Sequence, residues 1–382
     1  MARHYLDHAS TSPPRPEARA ALAAWAEGPF ADPGRVHQEG RTVRHAVETA
    51  REQVALLLGV RARQVVFTSG ATESANAAVF GASAARPGAP ILCAAVEHSA
   101  VRDASARAAP VETIPVDRLG RIDPEAVVRA LDGRGGSPPA LVNCQWANHE
   151  VGTVQPVGQV AEACRRAGVP LHVDAAAACG QLDLGLADLD VDLVSVSAHK
   201  LGGLPGTGAL VVRRGTRIEP LLVGGLQERA RRAGMENVPG IVAFGAVAAA
   251  LADEGGRRLR DEEARARRRT GALVDASTGT AGVTLVGDPD PAGRLPHLVC
   301  LGVAGVEAEP VLIGLDRAGI AAHSGSACAS ESLEPSPVLE AMGADASHSL
   351  RLSVGWSTTD DDVEALAAAL PTVVAGLRDL TT

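Results

Sequence analysis

The 382-residue sequence predicts an α/β protein with a large, mostly parallel-sheet domain and a smaller C-terminal α+β domain. Up to residue 240, short apolar runs alternate with helical patterns, which is typical of a parallel sheet covered by helices on both faces. A long helical stretch at about 241–275 then leads into a region where strands and helices alternate more briefly. We expect a large domain over 16–250, and a small domain formed by 1–15 and 251–382.

The elements follow from the apolar periodicity, taken in chain order. Residues 5–11 predict a short strand or arm before the Pro13-Pro14 turn, and helical patterns occupy 16–27 and 36–58. The strands predicted for the large domain are 65–67, 91–96, 140–142, 171–173, 191–197 and 209–212. The strand and helix segments predicted beyond the long helix are 298–303, 308–318, 320–323, 335–342, 349–354 and 360–377.

Composition excludes several classes of function. The net charge is −9 and no long block of basic residues occurs, so we expect no direct binding of nucleic acid. No apolar signal core opens the sequence and no run of about 18 apolar residues appears, so we expect a cytoplasmic protein without a membrane span. Aromatic residues make up only 2% of the chain, so the core must consist of Ala, Val and Leu.

The six cysteines have neither a CxxC pattern nor Cys/His ligand spacing, so we expect no metal site. Cys328 lies in a polar stretch rich in small residues. The other five lie in apolar surroundings and are predicted to be small core residues: Cys93, Cys144, Cys164, Cys179 and Cys300.

Lys200 is the only lysine in the chain, so 36 − 1 = 35 of the basic residues are arginine. A guanidinium cannot replace an amine that must lose its proton and attack a carbonyl carbon. Lys200 also follows a buried strand, 191–197, and precedes a glycine-rich turn, which is where α/β enzymes place their chemistry. From the count alone, a surface residue retained by chance is an equally good explanation.

Five strands end in polar or ionisable groups, which favours a site at their shared carboxyl edge over five separate caps. These groups are residues 68–74, Glu97-His98, residues 148–150, Asp174 and His199-Lys200. In 68–74, small residues and hydroxyls open a helix, so backbone N–H groups there can hold a phosphate. An ordinary helix cap explains this stretch about as well.

A lysine, a phosphate cup and an aspartate together suit pyridoxal phosphate. Lys200 would bond to the aldehyde, and Asp174 would keep the pyridine nitrogen protonated. His98 is predicted to stack on the ring and move protons, with a core histidine as the alternative. In the second domain, Cys328 is a nucleophile candidate and Arg351 a carboxylate clamp, although either alone could be structural.

These residues resemble the cysteine desulfurases of the class V aminotransferase family, in the branch whose catalytic cysteine lies in a longer loop. The resemblance covers essentially the whole chain. The segments that carry it are 5–7, 68–73, 97–101, 197–200, 236–240, 324–328 and 333–336. It implies the fold type I of pyridoxal-phosphate enzymes and a homodimer with sites near the interface.

The resemblance also implies a reaction and its residues. L-Cysteine displaces Lys200 from the cofactor, and the thiolate of Cys328 attacks the substrate sulfur. Alanine is released, and the persulfide on Cys328 then passes its sulfur to an acceptor protein. Asn148 would contact the ring hydroxyl and the substrate, and Arg351 the substrate carboxylate. Asp174 would hold the pyridine nitrogen and His98 would stack on the ring. The phosphate would be held by Ala71, Thr72, Ser197 and His199.

The chain departs from the family at three places. Ala177 replaces a glutamine that bonds the cofactor, Met235 replaces a threonine that reaches the phosphate from the partner subunit, and residues 203–206 read Gly-Leu-Pro-Gly in place of Gly-Pro-Lys-Gly. A net hydrogen bond contributes about 1 kcal/mol, so we hypothesise weaker cofactor retention than is usual in the family.

The destination of the sulfur stays open between DNA phosphorothioation, tRNA thiolation and an iron–sulfur task. Three features favour phosphorothioation slightly. They are the departures from the family, the absence of a longer tail after the last predicted helix, and the bias towards Ala, Arg and Gly that is typical of a GC-rich genome. Two other functions are possible: another pyridoxal-phosphate lyase or aminotransferase, and a non-catalytic scaffold.

Overall fold

The computed structural model describes residues 3–28, 30–132, 138–324 and 335–380. The strands in these ranges are β1 (His4–Tyr5), β2 (Val65–Thr68), β3 (Ile91–Ala94), β4 (Val111–Ile114), β5 (Leu141–Asn143), β6 (Leu171–Asp174), β7 (Leu193–Ser197), β8 (Gly208–Val212), β9 (Val283–Val286), β10 (Leu298–Val303), β11 (Ile320–Ala321), β12 (His323–Ser324) and β13 (Ser349–Ser353). The helices are α1 (Pro16–Ala26), α2 (Gln38–Leu58), α3 (Ala71–Ala85), α4 (Ser99–Ala108), α5 (Pro124–Asp132), α6 (Val157–Ala167), α7 (Gln227–Ala230), α8 (Val238–Thr278), α9 (Ala308–Arg317), α10 (Pro337–Ala341) and α11 (Asp360–Asp379).

The large sheet has the strand order β2-β8-β7-β6-β5-β3-β4. The strands from β7 to β4 pair in parallel, whereas β8 is antiparallel to both β2 and β7, so β2 and β7 run in the same direction. The carboxyl ends of β2, β3, β5, β6 and β7 therefore meet at one edge, and the predicted mostly parallel α/β architecture is confirmed.

Helices cover the large sheet because each has one apolar face. Helix α2 begins after His37, whose Nδ1 accepts a hydrogen bond from the Gly40 amide, and ends at Gly59 in the left-handed region with φ 68°. Val43, Val47 and other buried residues of this helix pack in the main core together with residues of α8. Each fully buried valine or leucine contributes about 1.5–3 kcal/mol.

Helix α8 carries the chain into the second domain. Residues 253–256 interrupt it with non-helical backbone, and Glu254, Gly255 and Gly256 have positive φ values. This break lies close to the expected domain boundary at 250/251. Helix α8 is also long and apolar enough to cross a membrane by composition alone, but half of its apolar window is buried inside the protein, as expected of a core helix.

The second domain contains an antiparallel sheet of order β12-β13-β10-β9, and the parallel pair of β1 with β11 attaches the N-terminal arm to it. Asp7 continues this attachment through a bridge to Ser353. The sequence-based prediction omits β4 and β9. Both are four-residue strands at the edge of a sheet, and both are only partly buried, unlike the edge strand β2.

Candidate active site

A cavity of about 460 Å³ lies at the carboxyl edge of the large sheet. Its wall is built from the ends of several strands, the start of α3, the N-terminal arm and one strand of the second domain. The sequence-predicted site residues that line it are Ala71, Thr72, His98, Asp174, Ser197, His199, Lys200 and Arg351. Other residues to which the sequence assigned no role in the site also line it, including Ser10, Glu73, Gln145, His149 and Ala177.

Lys200 lies in a 3₁₀ turn, His199–Leu201, directly after β7. Gly202 follows with φ 88°, and a Cβ atom there would lie 2.5 Å from the Arg15 side chain. Arg15 donates from Nε to the Leu201 carbonyl oxygen at 2.7 Å, so the N-terminal arm holds the lysine turn in place. His199 contacts Thr11 of the same arm, and burial, assisted by Lys200, lowers the pKa of His199 to about 4.

The start of helix α3 forms the opposite wall. No side chain caps this helix, and the amides of residues 71–73 make no hydrogen bond within the described residues, so they can bind an anion. Strand β8 approaches this point closely because residue 208 is glycine: a Cβ there would lie 2.6 Å from the Cα atom of Gly70. Glu73 pairs with Arg232 at 2.9 Å and accepts from the Ser69 amide, which fixes the turn before the helix.

Asp174 is the last residue of β6, and its Oδ1 accepts a hydrogen bond from the Ala176 amide at 2.9 Å. Glu97 is completely buried nearby, and burial, with Asp174 adding, raises the pKa of Glu97 well above its ordinary value. Burial therefore disfavours the charged form of Glu97. The methyl group of Ala177 lines the same wall and offers no hydrogen bond.

Two histidines meet in the wall. His98 caps helix α4, with its Nδ1 accepting from the Ala100 amide at 3.0 Å. The His149 ring lies edge-to-face against it, with 4.8 Å between ring centroids. His149 is buried, and its Nδ1 has no hydrogen-bond partner in the part of the chain that the structure describes. The sequence places His149 at a strand end but indicates no role for it.

Asn148 does not line the cavity, contrary to the prediction that it contacts the cofactor ring and the substrate. It is fully buried, its Nδ2 donates to the Val96 carbonyl, and its Oδ1 accepts from the amides of Glu150 and Val151 at 2.8 Å each. The amide of Asn148 is thus used to shape a turn, and the neighbouring His149 faces the cavity instead.

Arg351 is 1% exposed and already has partners. Its Nη2 donates to Ser10 at 2.6 Å and Asp7 at 3.1 Å, and its Nη1 donates to the His149 carbonyl at 3.1 Å. Its Nε has no partner within the described structure. The predicted carboxylate clamp therefore lies at the cavity, where the N-terminal arm orients it.

Cys328 lies outside the described residues. The five described cysteines are buried and form no disulfide. Burial raises the pKa of Cys164, Cys179 and Cys300 to about 12, and it raises those of Cys93 and Cys144 as well. These five thiols stay protonated near neutral pH, so none of them is a competent nucleophile.

The residues present fit pyridoxal phosphate. The wall supplies an amine at Lys200, uncapped amides at the start of α3 and a carboxylate at Asp174, and it leaves the buried Nδ1 of His149 and Nε of Arg351 without partners. An unpartnered buried polar atom costs about 1–3 kcal/mol, which a bound ligand with acceptor oxygens can recover. Met235 is 58% exposed and does not belong to this wall.

Comparison with known proteins places the chain among similar sequences and structures. The family model described as "Aminotransferase class-V" matches residues 4–366. A cysteine desulfurase of Gluconacetobacter diazotrophicus is 40% identical over 391 residues, covering 99% of this chain and 94% of that protein. A solved "NIFS-LIKE PROTEIN" has a TM-score of 0.89 and 27% identity, covering 98% of this chain and 100% of the other. The structure described as "SspA in complex with cysteine" has a TM-score of 0.79 and 25% identity, covering 93% and 100% respectively.

Proposed function

We propose that Cys328 carries the sulfur as a persulfide. The premise is that this chain belongs to the class V aminotransferase family and is a pyridoxal-phosphate-dependent cysteine desulfurase. The observation that carries the proposal is the convergence of Lys200, Asp174 and Arg351 on one cavity. The raised pKa values of the five buried thiols support Cys328 as the nucleophile, because a thiolate is required.

Each residue has a chemical task in this proposal. When bound, the cofactor would draw electrons from the substrate Cα, and Asp174 would hold the proton on its ring nitrogen. Lys200 would hold the aldehyde of the cofactor in the absence of L-cysteine, and Arg351 would provide positive charge for the substrate carboxylate. His98 moves protons. The thiolate of Cys328 forms an S–S bond as the substrate Cβ–S bond breaks, and the carbon keeps the electron pair and is protonated to give alanine.

The direct test is to incubate the holoprotein with L-cysteine and a thiol reductant, and to quantify alanine and sulfide. Equal amounts of both products are expected, and none from a Cys328→Ala variant. Cys300→Ala, which removes a buried thiol, is the matched control and should keep activity. Alanine formation that survives in Cys328→Ala would instead favour another pyridoxal-phosphate lyase.

We further propose that the sulfur passes through an acceptor protein to DNA phosphorothioation. Support comes from the altered cofactor contacts at Ala177 and Met235, which favour a specialised member of the family over a general one. The test is to disrupt the gene and to measure phosphorothioate linkages in DNA, thiolated nucleosides in tRNA and the activity of iron–sulfur enzymes. Loss confined to the first measurement is expected. Loss confined to the tRNA or iron–sulfur readout would identify that pathway in its place.

We also propose a homodimer in the cytoplasm. Large exposed apolar side chains support the dimer, because an interface would remove them from water: Phe30, Val36, Val223, Leu226 and Met235. Buried thiols without disulfides support a reducing compartment. A Leu226→Asp variant should lower the mass measured by light scattering to that of one chain, and an unchanged mass would place the interface elsewhere.

A further inference from the structure

His149 has three contacts, although no task in the proposed reaction requires it. Its ring packs edge-to-face with that of His98, and its backbone carbonyl accepts from Arg351 of β13. Its Nε2 lies 3.5 Å from Oε1 of Glu150, an ion-pair distance. The remaining ring nitrogen, Nδ1, is buried and has no partner among the described residues, in a side chain that lines the cavity.

Glu150 is itself a buried carboxylate, only 2% exposed. Burying a charge of this kind is costly unless it is paired and hydrogen-bonded. Among the described residues, His149 is the one side chain at ion-pair distance from it. Asn148 fixes the backbone of Glu150 in the turn, since the Glu150 amide donates to Oδ1 of Asn148.

The second carboxylate oxygen of Glu150 connects this pair to the other domain. Ser336 donates from Oγ to Oε2 of Glu150 at 2.5 Å, and both side chains are buried. Ser336 also caps α10 by accepting from the Leu339 amide. One hydroxyl therefore holds both the start of a helix in the second domain and the carboxylate beside the cavity.

We propose that Glu150 is a positioning residue that orients the His149 ring, so that Nδ1 meets an anionic oxygen of the ligand in the cavity, and that Ser336 fixes Glu150 from the second domain. The anionic oxygen belongs either to the cofactor ring or to the substrate carboxylate. The inference rests on the pyridoxal-phosphate site described above and not on the destination of the sulfur.

The test uses full-length His149→Asn, Glu150→Gln, the double variant and Ser336→Ala. Three quantities are measured: the affinity of the apoprotein for pyridoxal phosphate, the visible absorption of the holoprotein, and KM separately from kcat for alanine formation. We expect each single variant at 149 and 150 to weaken the binding of one ligand, either pyridoxal phosphate or L-cysteine, about tenfold. Weaker cofactor binding with a shifted absorption band assigns the oxygen to the cofactor. A raised KM with an unchanged band assigns it to the substrate.

The double variant decides whether Glu150 acts through His149. We expect it to be no worse than His149→Asn, because the two residues share one interaction. Additive losses, or a silent Glu150→Gln, would overturn the proposal. Asp288→Asn is the matched control, since Asp288 is another buried carboxylate that pairs with Arg121 but lies outside the cavity wall, and it should leave all three quantities unchanged.

Ser336→Ala tests the link between the domains. We expect Ser336→Ala to weaken the binding of the same ligand as Glu150→Gln does, but by a smaller factor. Ser336→Thr keeps the hydroxyl and should restore the wild-type value. Because Ser336→Ala also removes a helix cap, its thermal stability is measured in parallel. If Glu150→Gln fails to fold, Glu150→Asp, which keeps the charge, replaces it and should retain the visible band. Loss of binding in Glu150→Gln without any change in Ser336→Ala would remove the role of the second domain.

Discussion

Replacing His172 with glutamine should make the fold less sensitive to acid. His172 is completely buried in β6, where its Nδ1 is 2.8 Å from Oδ1 of Asn143 and its Nε2 is 2.8 Å from Oγ of Ser195. A neutral imidazole satisfies this arrangement by donating from Nδ1 and accepting at Nε2. A second proton on the ring would place a positive charge in this buried site, and burial therefore lowers the pKa of His172 from 6.5 to about 4.

The sign and size of the effect follow from linkage. His172 takes up a proton below about pH 6.5 in the unfolded chain, but only near pH 4 in the folded chain. The free energy of unfolding is therefore not reduced by His172 above about pH 6.5, and it falls as the pH drops from about 6.5 to about 4. Each pKa unit is worth about 1.4 kcal/mol, so His172 costs up to about 3 kcal/mol at the acid end and about 2 kcal/mol between about pH 7 and pH 5. This is a large part of a typical unfolding free energy of about 5–15 kcal/mol.

The assay is urea unfolding of the wild type and His172→Gln near neutral pH and again about two units lower. The variant is expected to be less stable at neutral pH, but its loss on acidification should be smaller by about 2 kcal/mol. His45→Gln, which removes an exposed histidine of α2, is the control and should show the wild-type loss. Equal acid sensitivity in His172→Gln and the wild type would refute this account.

Three further predictions concern the site. Lys200→Arg keeps the positive charge but cannot form the covalent bond, so alanine formation should fall to background and gel filtration should remove the cofactor. Ala177→Gln restores one hydrogen bond of about 1 kcal/mol and should tighten cofactor binding about fivefold in equilibrium titration; an unchanged dissociation constant would show that residue 177 does not reach the ring. Arg15→Met removes the buried partner of Glu262, which then keeps only Arg258, and should lower the unfolding free energy by about 3 kcal/mol, whereas a loss below about 1 kcal/mol would mean that the Arg15–Glu262 pair contributes little.

Much of the fold could be predicted because the strands of the large sheet are short, continuous apolar runs that are buried on both faces. The helix boundaries of α1 and α2 also follow from local signals, a proline near the start of the first and a glycine after the end of the second. Strands β4 and β9 are not predicted in this way, because each is a four-residue segment that is only partly buried and lacks the continuous buried run of the other strands of the large sheet.

The sequence by itself determined two of the chemical types in the site, the one lysine and an aspartate at a strand end, and it predicted Cys328 as the nucleophile. Only the tertiary structure decided which neighbouring side chain faces the cavity, and it selected His149 over Asn148 because the turn consumes both ends of the asparagine amide. Tertiary structure likewise brings Asp7 to Arg351, 344 positions apart in the chain. Local sequence carries residue identity and periodicity, whereas the direction of a side chain at a turn, and its distant partners, depend on how backbone hydrogen bonds are satisfied throughout the fold.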